Sequence, residues 1–297
     1  MTLAAPGAFA DADELDDFAD LRPVGLDDHV TYYEGRQVST NRQVALKVLH
    51  TPTPQAVDAI ERESRVLARL AAHPNIVTML ERVELADGRP VLVLERTVGT
   101  LYTAANAGRL DLQAMVAVAT KIAGALETVH AEGLLHCAVS PRAIRFTEFG
   151  EPVLADFGSA TPSAPGRRGT EVLHEATVHT APELLLGECP SPATDVYGLA
   201  SALYEVLAGR PAFRSYAGES PAALSMRILC DPVHVIGGEV PLELSDLLIW
   251  AMSSEPGSRP PSPAWLAEEF GRIEQKMGWP RTRMIVGGVR GRRSRRG

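Results

Sequence analysis

Cysteine is scarce in this sequence: Cys137, Cys189 and Cys230 are the three among 297 residues, and no two form a Cys-x-x-Cys pair. This scarcity excludes a disulfide framework and gives no indication of a zinc site, so a reducing compartment fits best. No apolar run approaches the roughly 20 residues that a membrane-spanning helix needs. The N-terminus also lacks the basic-then-apolar order of a signal peptide. These absences predict a cytoplasmic protein without a transmembrane segment.

Charge is unevenly distributed along the chain. The formal net charge of −8 argues against wholesale nucleic-acid binding. Acidic residues cluster near the start, at Asp11, Asp13, Glu14, Asp16, Asp17 and Asp20. Arginines cluster near the end, at Arg281, Arg283, Arg290, Arg292, Arg293, Arg295 and Arg296. We expect residues 1–20 and 277–297 to be solvated, flexible segments. The alternatives are that the basic segment binds an acidic partner, an anionic membrane or nucleic acid, or that the two ends attract each other.

The first third of the chain indicates β-structure around one helix. Runs rich in β-branched and aliphatic residues, bounded by turn-forming residues, predict short strands. These strands are expected at residues 21–25, 30–36, 42–49, 76–80 and 90–94. Thr53-Pro54 is a favourable helix start, and residues at three-to-four spacing mark one helix face as far as Leu70.

From Leu112 onward the pattern is helical. Apolar residues at helical spacing mark the buried face of a long amphipathic helix that ends near Gly133. A hairpin at residues 144–146 and 152–155 follows. Further helices are expected at about residues 192–207, 221–229, 242–252 and 263–276. Strands first and helices second indicate an α+β chain of two lobes.

Residues 134–158, which read LLHCAVSPRAIRFTEFGEPVLADFG, resemble the catalytic loop and metal loop of protein kinases. That family has a His-Arg-Asp triplet, then a lysine and an asparagine, and after a hairpin an Asp-Phe-Gly triplet. The same frame here reads His136-Cys137-Ala138, Ser140, Ala143 and Asp156-Phe157-Gly158. The scaffold residues match, whereas the residues that carry the chemistry do not.

Other protein-kinase landmarks surround this stretch in the family's order. Lys47, in Val44-Ala45-Leu46-Lys47, resembles the third-strand lysine that holds the nucleotide phosphates, and Glu63 stands where its ion-pair glutamate belongs. The later landmarks are His73-Pro74-Asn75, Ala181-Pro182-Glu183, Asp195-Val196-Tyr197-Gly198 and Arg259-Pro260. One such triplet is weak, but the ordered series identifies the chain as resembling bacterial-type Ser/Thr protein kinases.

The resemblance implies a bilobal protein-kinase-like fold over residues 21–276. The N-lobe, about residues 21–97, would hold a small antiparallel sheet and one helix, and the C-lobe, about residues 98–276, would be mainly helical. The residues implied to have structural roles are His136 and Phe157, in a column with Leu67 and Met79, Asp195 at its base, and the pair Glu183 and Arg259.

The resemblance also implies that the centre of catalysis is missing. Ala138 stands where a carboxylate would accept the proton of the substrate hydroxyl, a contribution typically worth about 10²–10⁴-fold. Ser140 replaces the lysine that neutralises the transferring phosphate, and Ala143 replaces the asparagine that holds a metal ion. Cys137 replaces the arginine that receives a phosphorylated activation loop. We therefore assign no catalytic residue.

Nucleotide binding is predicted to be weak or absent. If Gly25 begins the Gly-x-Gly-x-x-Gly loop, Asp27 and Val30 stand where the other glycines belong, and their side chains obstruct the approach of backbone amides to phosphate. Arg145 takes the position of the apolar floor under adenine.

The retained residues keep ATP and Mg²⁺ as candidate ligands. A bound nucleotide would be held by Gly25, Ala45, Lys47, Glu63, Leu94, Glu95, Thr97 and Asp156. In this reading Asp156 is the Mg²⁺ ligand, Leu94 lies at the back of the pocket, and the backbone from Glu95 to Thr97 meets adenine. The alternative is that Lys47, Glu63 and Asp156 lock the lobe geometry without a ligand.

These features favour a pseudokinase, a regulatory or scaffolding module that binds a protein partner. Its expected working surfaces are residues 159–180, which carry Arg167 and Arg168, and the two charged ends. Three alternatives stay open: an active atypical Ser/Thr kinase, with Glu148 and Glu151 as the nearest carboxylates in sequence; a small-molecule phosphotransferase of related fold; and an ATP-binding switch without turnover.

Overall fold

The computed structural model describes residues 15–27, 29–70, 73–163 and 176–287. The outer parts of both charged ends, and the segment that carries Arg167 and Arg168, lie outside the described residues. The described part divides into a lobe built on a sheet and a lobe built on helices, which agrees with the predicted α+β bilobal fold.

A five-stranded antiparallel sheet forms the N-lobe. Its strands are β1 (Phe18–Leu26), β2 (Val30–Gln37), β3 (Arg42–Leu49), β4 (Met79–Glu84) and β5 (Pro90–Glu95), in the spatial order β1-β2-β3-β5-β4. Alternate residues of β3 face opposite sides, as the pleat requires. Val44, Leu46 and Val48 enter a buried apolar cluster of the N-lobe. Lys47 therefore faces the other side, toward the helix that follows.

That helix, α1 (Pro54–Leu70), begins with favourable capping chemistry. The Thr53 hydroxyl accepts a hydrogen bond from the Ala56 amide at 3.2 Å, and Pro54 occupies the first helical position. The buried face of α1 is apolar except for a serine and Glu63, which is 1% exposed. A buried carboxylate needs a partner, and β3 supplies one.

The C-lobe is mainly helical. Its helices are α2 (Leu101–Asn106), α3 (Leu112–Ala131), α4 (Pro182–Leu185), α5 (Pro192–Ala208), α6 (Pro221–Cys230), α7 (Leu242–Ala251) and α8 (Pro263–Lys276). The sequence was expected to hold no apolar run long enough to span a membrane, yet α3 meets that criterion by length and composition. Two thirds of its apolar window is buried inside the described structure. The C-lobe core is built around α3 and α5.

Two small sheets position the loops between the lobes. One contains β6 (Thr97–Thr100), β8 (Ile144–Thr147) and β9 (Pro152–Leu154), in the order β6-β8-β9. The other pairs β7 (Leu134–Leu135) with β10 (Thr161–Pro162). The stretches that carry the kinase-like motifs connect these short strands, so their backbones are held at both ends.

The predicted strand at residues 76–80 agrees with the structure only at Met79 and Leu80, and its first three residues lie outside the sheet. Strand β4 begins at Met79, whereas Ile76 makes an isolated parallel bridge to Leu154 of β9. The Val77 amide donates to the Leu154 carbonyl at 3.0 Å, and the Leu154 amide donates to the Asn75 carbonyl at 2.9 Å. This apolar run is thus buried because it joins the two lobes.

The predicted start of the folded unit at residue 21 is too late. Leu15 and Phe18 are buried in the apolar cluster of the N-lobe, and β1 already begins at Phe18. The Asp17 carboxylate accepts hydrogen bonds from the amide and hydroxyl of Ser39, at 2.8 and 2.6 Å, and these bonds lower the pKa of Asp17. The last part of the acidic segment therefore belongs to the sheet.

The predicted flexible segment from residue 277 also begins with ordered contacts. We call residues 279–287 the strap. The Thr282 amide donates to the buried carboxylate of Glu274 at 2.8 Å, and the Trp279 amide donates to the Glu274 carbonyl at 2.8 Å. These bonds turn the chain back along α8 instead of releasing it into solvent.

The far end of the strap crosses α3 and reaches the loop after α1. The His73 Nε2 atom lies 2.9 Å from the Ile285 carbonyl, and the Gly287 amide donates to the Thr128 hydroxyl at 2.9 Å. Gly124 of α3 permits this approach, since a Cβ there would lie 2.3 Å from the Ile285 carbonyl. The strap consequently ties C-lobe helices to the N-lobe.

Candidate functional site

Lys47 and Glu63 form a buried ion pair between β3 and α1. The Lys47 ammonium lies 2.7 Å from the Glu63 carboxylate, and the other carboxylate oxygen accepts the Phe157 amide at 3.3 Å. Burial alone would lower the pKa of Lys47, but Glu63, Tyr32 and Asp156 together outweigh burial and raise that pKa well above its usual value. The pair holds α1 against the sheet and against residue 157.

Asp156 lies beside this pair in a strained backbone conformation. Its φ of 63° and ψ of 55° are left-handed, which a non-glycine residue seldom adopts. The carboxylate is 3.7 Å from the Lys47 ammonium and 3.7 Å from the Arg145 guanidinium. Burial opposes its ionisation, yet Arg145 and Lys47 outweigh burial and hold the pKa of Asp156 below its usual value. The anion is therefore neutralised by cations of the chain itself.

Tyr32 and Arg145 meet across the cleft between the lobes. The guanidinium carbon of Arg145 is 5.3 Å from the centroid of the Tyr32 ring, and the Tyr32 hydroxyl donates to Asp156 at 3.5 Å. Burial, and then the charge of Asp156, raise the pKa of Tyr32 to about 12. A base stacked between two groups needs a separation of about 7 Å or more, twice an ordinary contact of about 3.5–4.0 Å. The contact leaves no room for one.

The turn between β1 and β2 is a tight hairpin. Gly25 pairs with Tyr32, and the Asp27 amide donates to the Val30 carbonyl at 2.9 Å. Val30 is buried and pairs with Leu49 of β3. The positions of the second and third loop glycines are thus occupied by a turn residue and a core residue.

The remaining candidate nucleotide ligands lie on β3, β5 and β6. Ala45 pairs with Leu94, which is buried, and Thr97 begins β6. The Glu95 amide donates to the Thr78 carbonyl at 2.9 Å, and the Glu95 carboxylate accepts the Thr78 amide at 2.7 Å. The Glu95 amide is thus engaged within the chain and is not free to meet adenine.

A cavity of about 590 Å³ opens on the α1 side of Tyr32. Lys47, Glu63 and Gly158 line it, together with residues of the β1–β2 turn and the start of α1. None of its lining residues comes from the expected adenine side at Leu94 or Thr97. The open space in the cleft therefore lies where phosphates would be, and not where a base would be.

The catalytic-like loop is held by one buried carboxylate. Asp195 of α5 accepts the amides of His136 and Cys137 at 2.9 and 2.7 Å, and lies 2.7 Å from the His130 Nε2 atom. These bonds outweigh burial and lower the pKa of Asp195. Cys137 has a left-handed φ of 64°, so the loop keeps a strained residue. Burial, reinforced by Asp195, raises the pKa of the Cys137 thiol.

A column of side chains joins the lobes through this loop. The His136 and Phe157 rings lie edge to face with centroids 4.6 Å apart, and both are fully buried. His136 donates through Nε2 to the Ala155 carbonyl at 2.9 Å and accepts the Ala138 amide at Nδ1 at 3.2 Å. Leu67 is buried and Met79 partly buried in the same core. The structure shows the predicted contact between His136 and Phe157 and places Leu67 and Met79 in the same apolar cluster as Phe157.

At the three altered catalytic positions, the described hydrogen bonds lie within the loop or join it to Ala155. The Ser140 hydroxyl accepts the Ala143 amide at 3.2 Å, and Ala143 is buried. The Ala143 carbonyl accepts the Ala155 amide at 2.8 Å. Ala138 and Ala143 bring methyl groups where a proton acceptor and a metal ligand were expected. Within the described ranges no cluster of three His, Cys, Asp or Glu side chains could hold a metal ion.

The Glu183–Arg259 pair anchors the C-lobe, as the landmarks implied. Arg259 donates to both carboxylate oxygens of Glu183 at 2.7 and 2.8 Å, and the two side chains are 1% exposed or less. Thr194 of α5 donates its hydroxyl to the same carboxylate at 2.7 Å. The pair therefore connects α4, α5 and the chain before α8.

Sequence reasoning missed the part played by Tyr32. Its signal lies in strand register, because Tyr32 pairs with Lys47 on β3 and so shares the cleft face with the retained lysine. It also missed the contact of His130 with Asp195. The only sequence signal for this contact is weak: His130 lies on the last turn of α3, six residues before His136.

Comparison with known proteins agrees with the family that these landmarks indicate. Residues 18–270 match the protein kinase domain family. Serine/threonine-protein kinase PknK of Mycobacterium bovis is 34% identical over 267 residues, which cover 88% of this chain and 24% of that protein. Serine/threonine-protein kinase PknA of Mycobacterium tuberculosis is 30% identical over 229 residues, 73% of this chain and 52% of that protein. The chain thus spans about a quarter to a half of the length of these relatives.

Proposed function

Because the chain belongs to the protein kinase domain family, among the bacterial-type serine/threonine kinases, we propose that it is a catalytically inactive member that works by binding a protein partner. The proposal has two parts. Phosphoryl transfer is lost, and the folded scaffold is retained as a binding module. Different observations support each part.

The contact between Tyr32 and Arg145 carries the first part. The Arg145 guanidinium carbon lies 5.3 Å from the centroid of the Tyr32 ring, which is too close for a base to enter between them. Both side chains also contact Asp156, the one retained metal carboxylate of the motif. Magnesium and a nucleotide do not fit this arrangement, because Asp156 is already neutralised and Ala143 offers no second ligand. Binding ATP would require Tyr32 and Arg145 to move apart.

The composition of the catalytic-like loop supports the same part. Transfer needs a group that orients the attacking hydroxyl, and a cation near the transferring phosphate. Ala138 and Ser140 provide neither. The three changes act on one transition state, so restoring any one of them alone would leave the others missing.

The intact scaffold supports the second part. The buried pairs Lys47–Glu63 and Glu183–Arg259 and the left-handed backbone at Asp156 are retained in a chain whose transfer residues are replaced. Strained backbone costs on the order of 1–3 kcal/mol per residue, so it persists only where the surroundings enforce it. An assembled kinase-like surface without transfer chemistry suits protein recognition.

Phosphate transfer by the purified full chain tests the proposal. With ATP and Mg²⁺ and a generic protein substrate, we expect no incorporation above that of a Lys47→Ala/Asp156→Ala control. Transfer by the parent chain that either substitution abolishes would refute the inactive reading and favour an active atypical kinase, as the names of the relatives would suggest.

Thermal shift with ATP separates the proposal from a nucleotide-binding switch. A ligand at 100 times its dissociation constant stabilises the folded state by about 2.7 kcal/mol. We expect no shift for the parent chain with ATP, with or without Mg²⁺. A saturable shift without turnover would favour the switch.

A further inference from the structure

A small pocket beside the catalytic-like loop is rich in arginine. It encloses about 270 Å³ between α2, the end of α5 and the loop that follows α5, and Arg210 and Arg214 line it. Tyr102 forms another wall, and the guanidinium carbon of Arg142 lies 4.1 Å from the centroid of that ring. The Tyr102 amide donates to the Pro141 carbonyl at 3.1 Å, which ties α2 to the catalytic-like loop. Two arginines thus line the pocket, and a third contacts the ring of Tyr102, which forms one of its walls.

The positive charge of this pocket exceeds its negative charge among the described residues, because two arginines and one carboxylate line it. Arg210 and Arg214 are exposed and make no ion pair with any described residue. The one carboxylate among the lining residues, Glu205, lies 2.9 Å from the His179 Nε2 atom. The other nitrogen of that ring is 2.9 Å from the Ser201 hydroxyl, so His179 is held against Glu205 from both sides.

This excess of positive charge stands out on an acidic protein. The chain has a formal net charge of −8, and its charged side chains on the N-lobe are mostly paired, as with Arg82 and Glu61 at 2.6 Å. Exposed arginines without a partner keep five donors each in a planar fork that matches a carboxylate. Two such arginines lining one pocket would attract an anion to it.

We propose that this pocket binds an acidic segment of a partner protein, whose carboxylates pair with Arg210 and Arg214. A volume of about 270 Å³ lies below the roughly 300–1,000 Å³ of small-molecule sites and suits one or two side chains of a peptide. Tyr102, partly exposed and stacked on Arg142, offers a flat apolar wall for the peptide backbone. The inference rests on the proposed function in so far as that function needs a protein partner, and it is independent of whether transfer is lost.

Fluorescence anisotropy of a labelled Glu-rich peptide with the full chain tests this pocket. We expect saturable binding that weakens about tenfold or more in an Arg210→Glu/Arg214→Glu double variant, because both pairs become repulsive. The matched control is Arg42→Glu/Arg65→Glu, which makes the same change of charge at exposed N-lobe arginines that pair with no described residue. That control should change the affinity by less than about twofold, since exposed charges beyond a Debye length of about 8 Å are screened.

Three outcomes would overturn the proposal. In the first, the parent chain and the pocket variant bind the peptide with equal affinity. In the second, the pocket variant and the N-lobe control weaken binding equally. In the third, the parent chain does not bind the Glu-rich peptide. A Gln-rich peptide of the same length must bind more weakly than the Glu-rich one, or charge recognition is wrong. Nucleotide is absent throughout, so failure here is distinguishable from detection of phosphate transfer.

Discussion

Replacement of Arg259 by alanine should destabilise the C-lobe more than any surface ion pair can. The side chain is fully buried and donates to three backbone carbonyls at 2.8–3.0 Å, as well as to Glu183 at 2.7 Å. Alanine leaves the Glu183 carboxylate buried with Thr194 as its one remaining side-chain partner among the described residues. Removal of one partner from a buried pair costs about 3–5 kcal/mol.

This loss can be converted into a measurable shift. At about 4 kcal/mol, and about 2–4 °C per kcal/mol for a domain of some 150–250 residues, the melting temperature should fall by about 8–16 °C. Urea unfolding followed by tryptophan fluorescence isolates the effect, because Trp250, Trp265 and Trp279 are the three tryptophans of the chain and all lie near the end of the C-lobe. The midpoint should fall while the slope stays constant.

Two matched variants test the reasoning. Arg272→Ala removes a guanidinium that is 66% exposed and paired with Glu269, and such pairs contribute about 1 kcal/mol or less. In a double-mutant cycle, Glu183→Gln with Arg259→Ala should cost clearly less than the sum of the single changes, since each removes the same interaction. If Arg259→Ala unfolded at the same urea concentration as Arg272→Ala, the buried pair would not hold the C-lobe together.

Three further predictions concern the cleft, the strap and the cysteines. Tyr32→Val/Arg145→Leu removes both side chains that fill the cleft, so ATP should raise the melting temperature of the variant but not that of the parent. If ATP does not raise the melting temperature of the variant, other groups exclude the base. Burial lowers the pKa of His73, while the unfolded chain titrates near about 6.5. At pH values between the lowered pKa of folded His73 and about 6.5, the unfolded chain binds more protons than the folded chain. The free energy of unfolding should therefore fall as the pH drops below about 6.5. Urea titrations of His73→Gln should show a flatter pH dependence. Thiol titration at neutral pH should detect exposed Cys189 and Cys230 rapidly and the partly buried Cys137 more slowly, because burial raises the pKa of the Cys137 thiol. Equal rates for all three would contradict the described loop.

The sequence was sufficient for features that depend on residue identity at a known place in the family's order. Lys47 and Glu63 were expected to pair, and they do, because the third-strand motif and the helix after it place them in register. The same holds for Glu183 and Arg259. Each assignment needed only the landmark and its order, and not the details of packing.

Contacts between distant residues without a landmark were beyond sequence reasoning. The contact of Tyr32 with Arg145 joins residues from different lobes and depends on strand register and on the closure of the cleft. Taken alone, Arg145 was as compatible with stacking on a base as with excluding one. Residues 76–78 were assigned to the same strand as Met79 and Leu80, because a short apolar run does not reveal which partner each part of it pairs with.

A glycine inside a helix could have signalled the strap. Gly124 lies in the interior of α3, where glycine is unfavourable by about 1 kcal/mol relative to alanine unless a close contact requires it. The Ile285 carbonyl makes that contact. The position of the partner could not be inferred, since it lies 161 residues further along the chain, in a segment whose composition indicated a solvated end.

The strap makes the folding unit of this chain longer than the domain that its family shares. The family match ends at residue 270, within α8. A fragment cut there would lose Glu274 and everything that folds back on it, and would expose the small-residue surface of α3 together with the ring of His73. Such a fragment would fold with a weakened junction between its lobes. Its measured stability and binding would therefore reflect the loss of the strap and not the properties of the longer chain. Measurements on this protein should therefore retain the chain through Gly287.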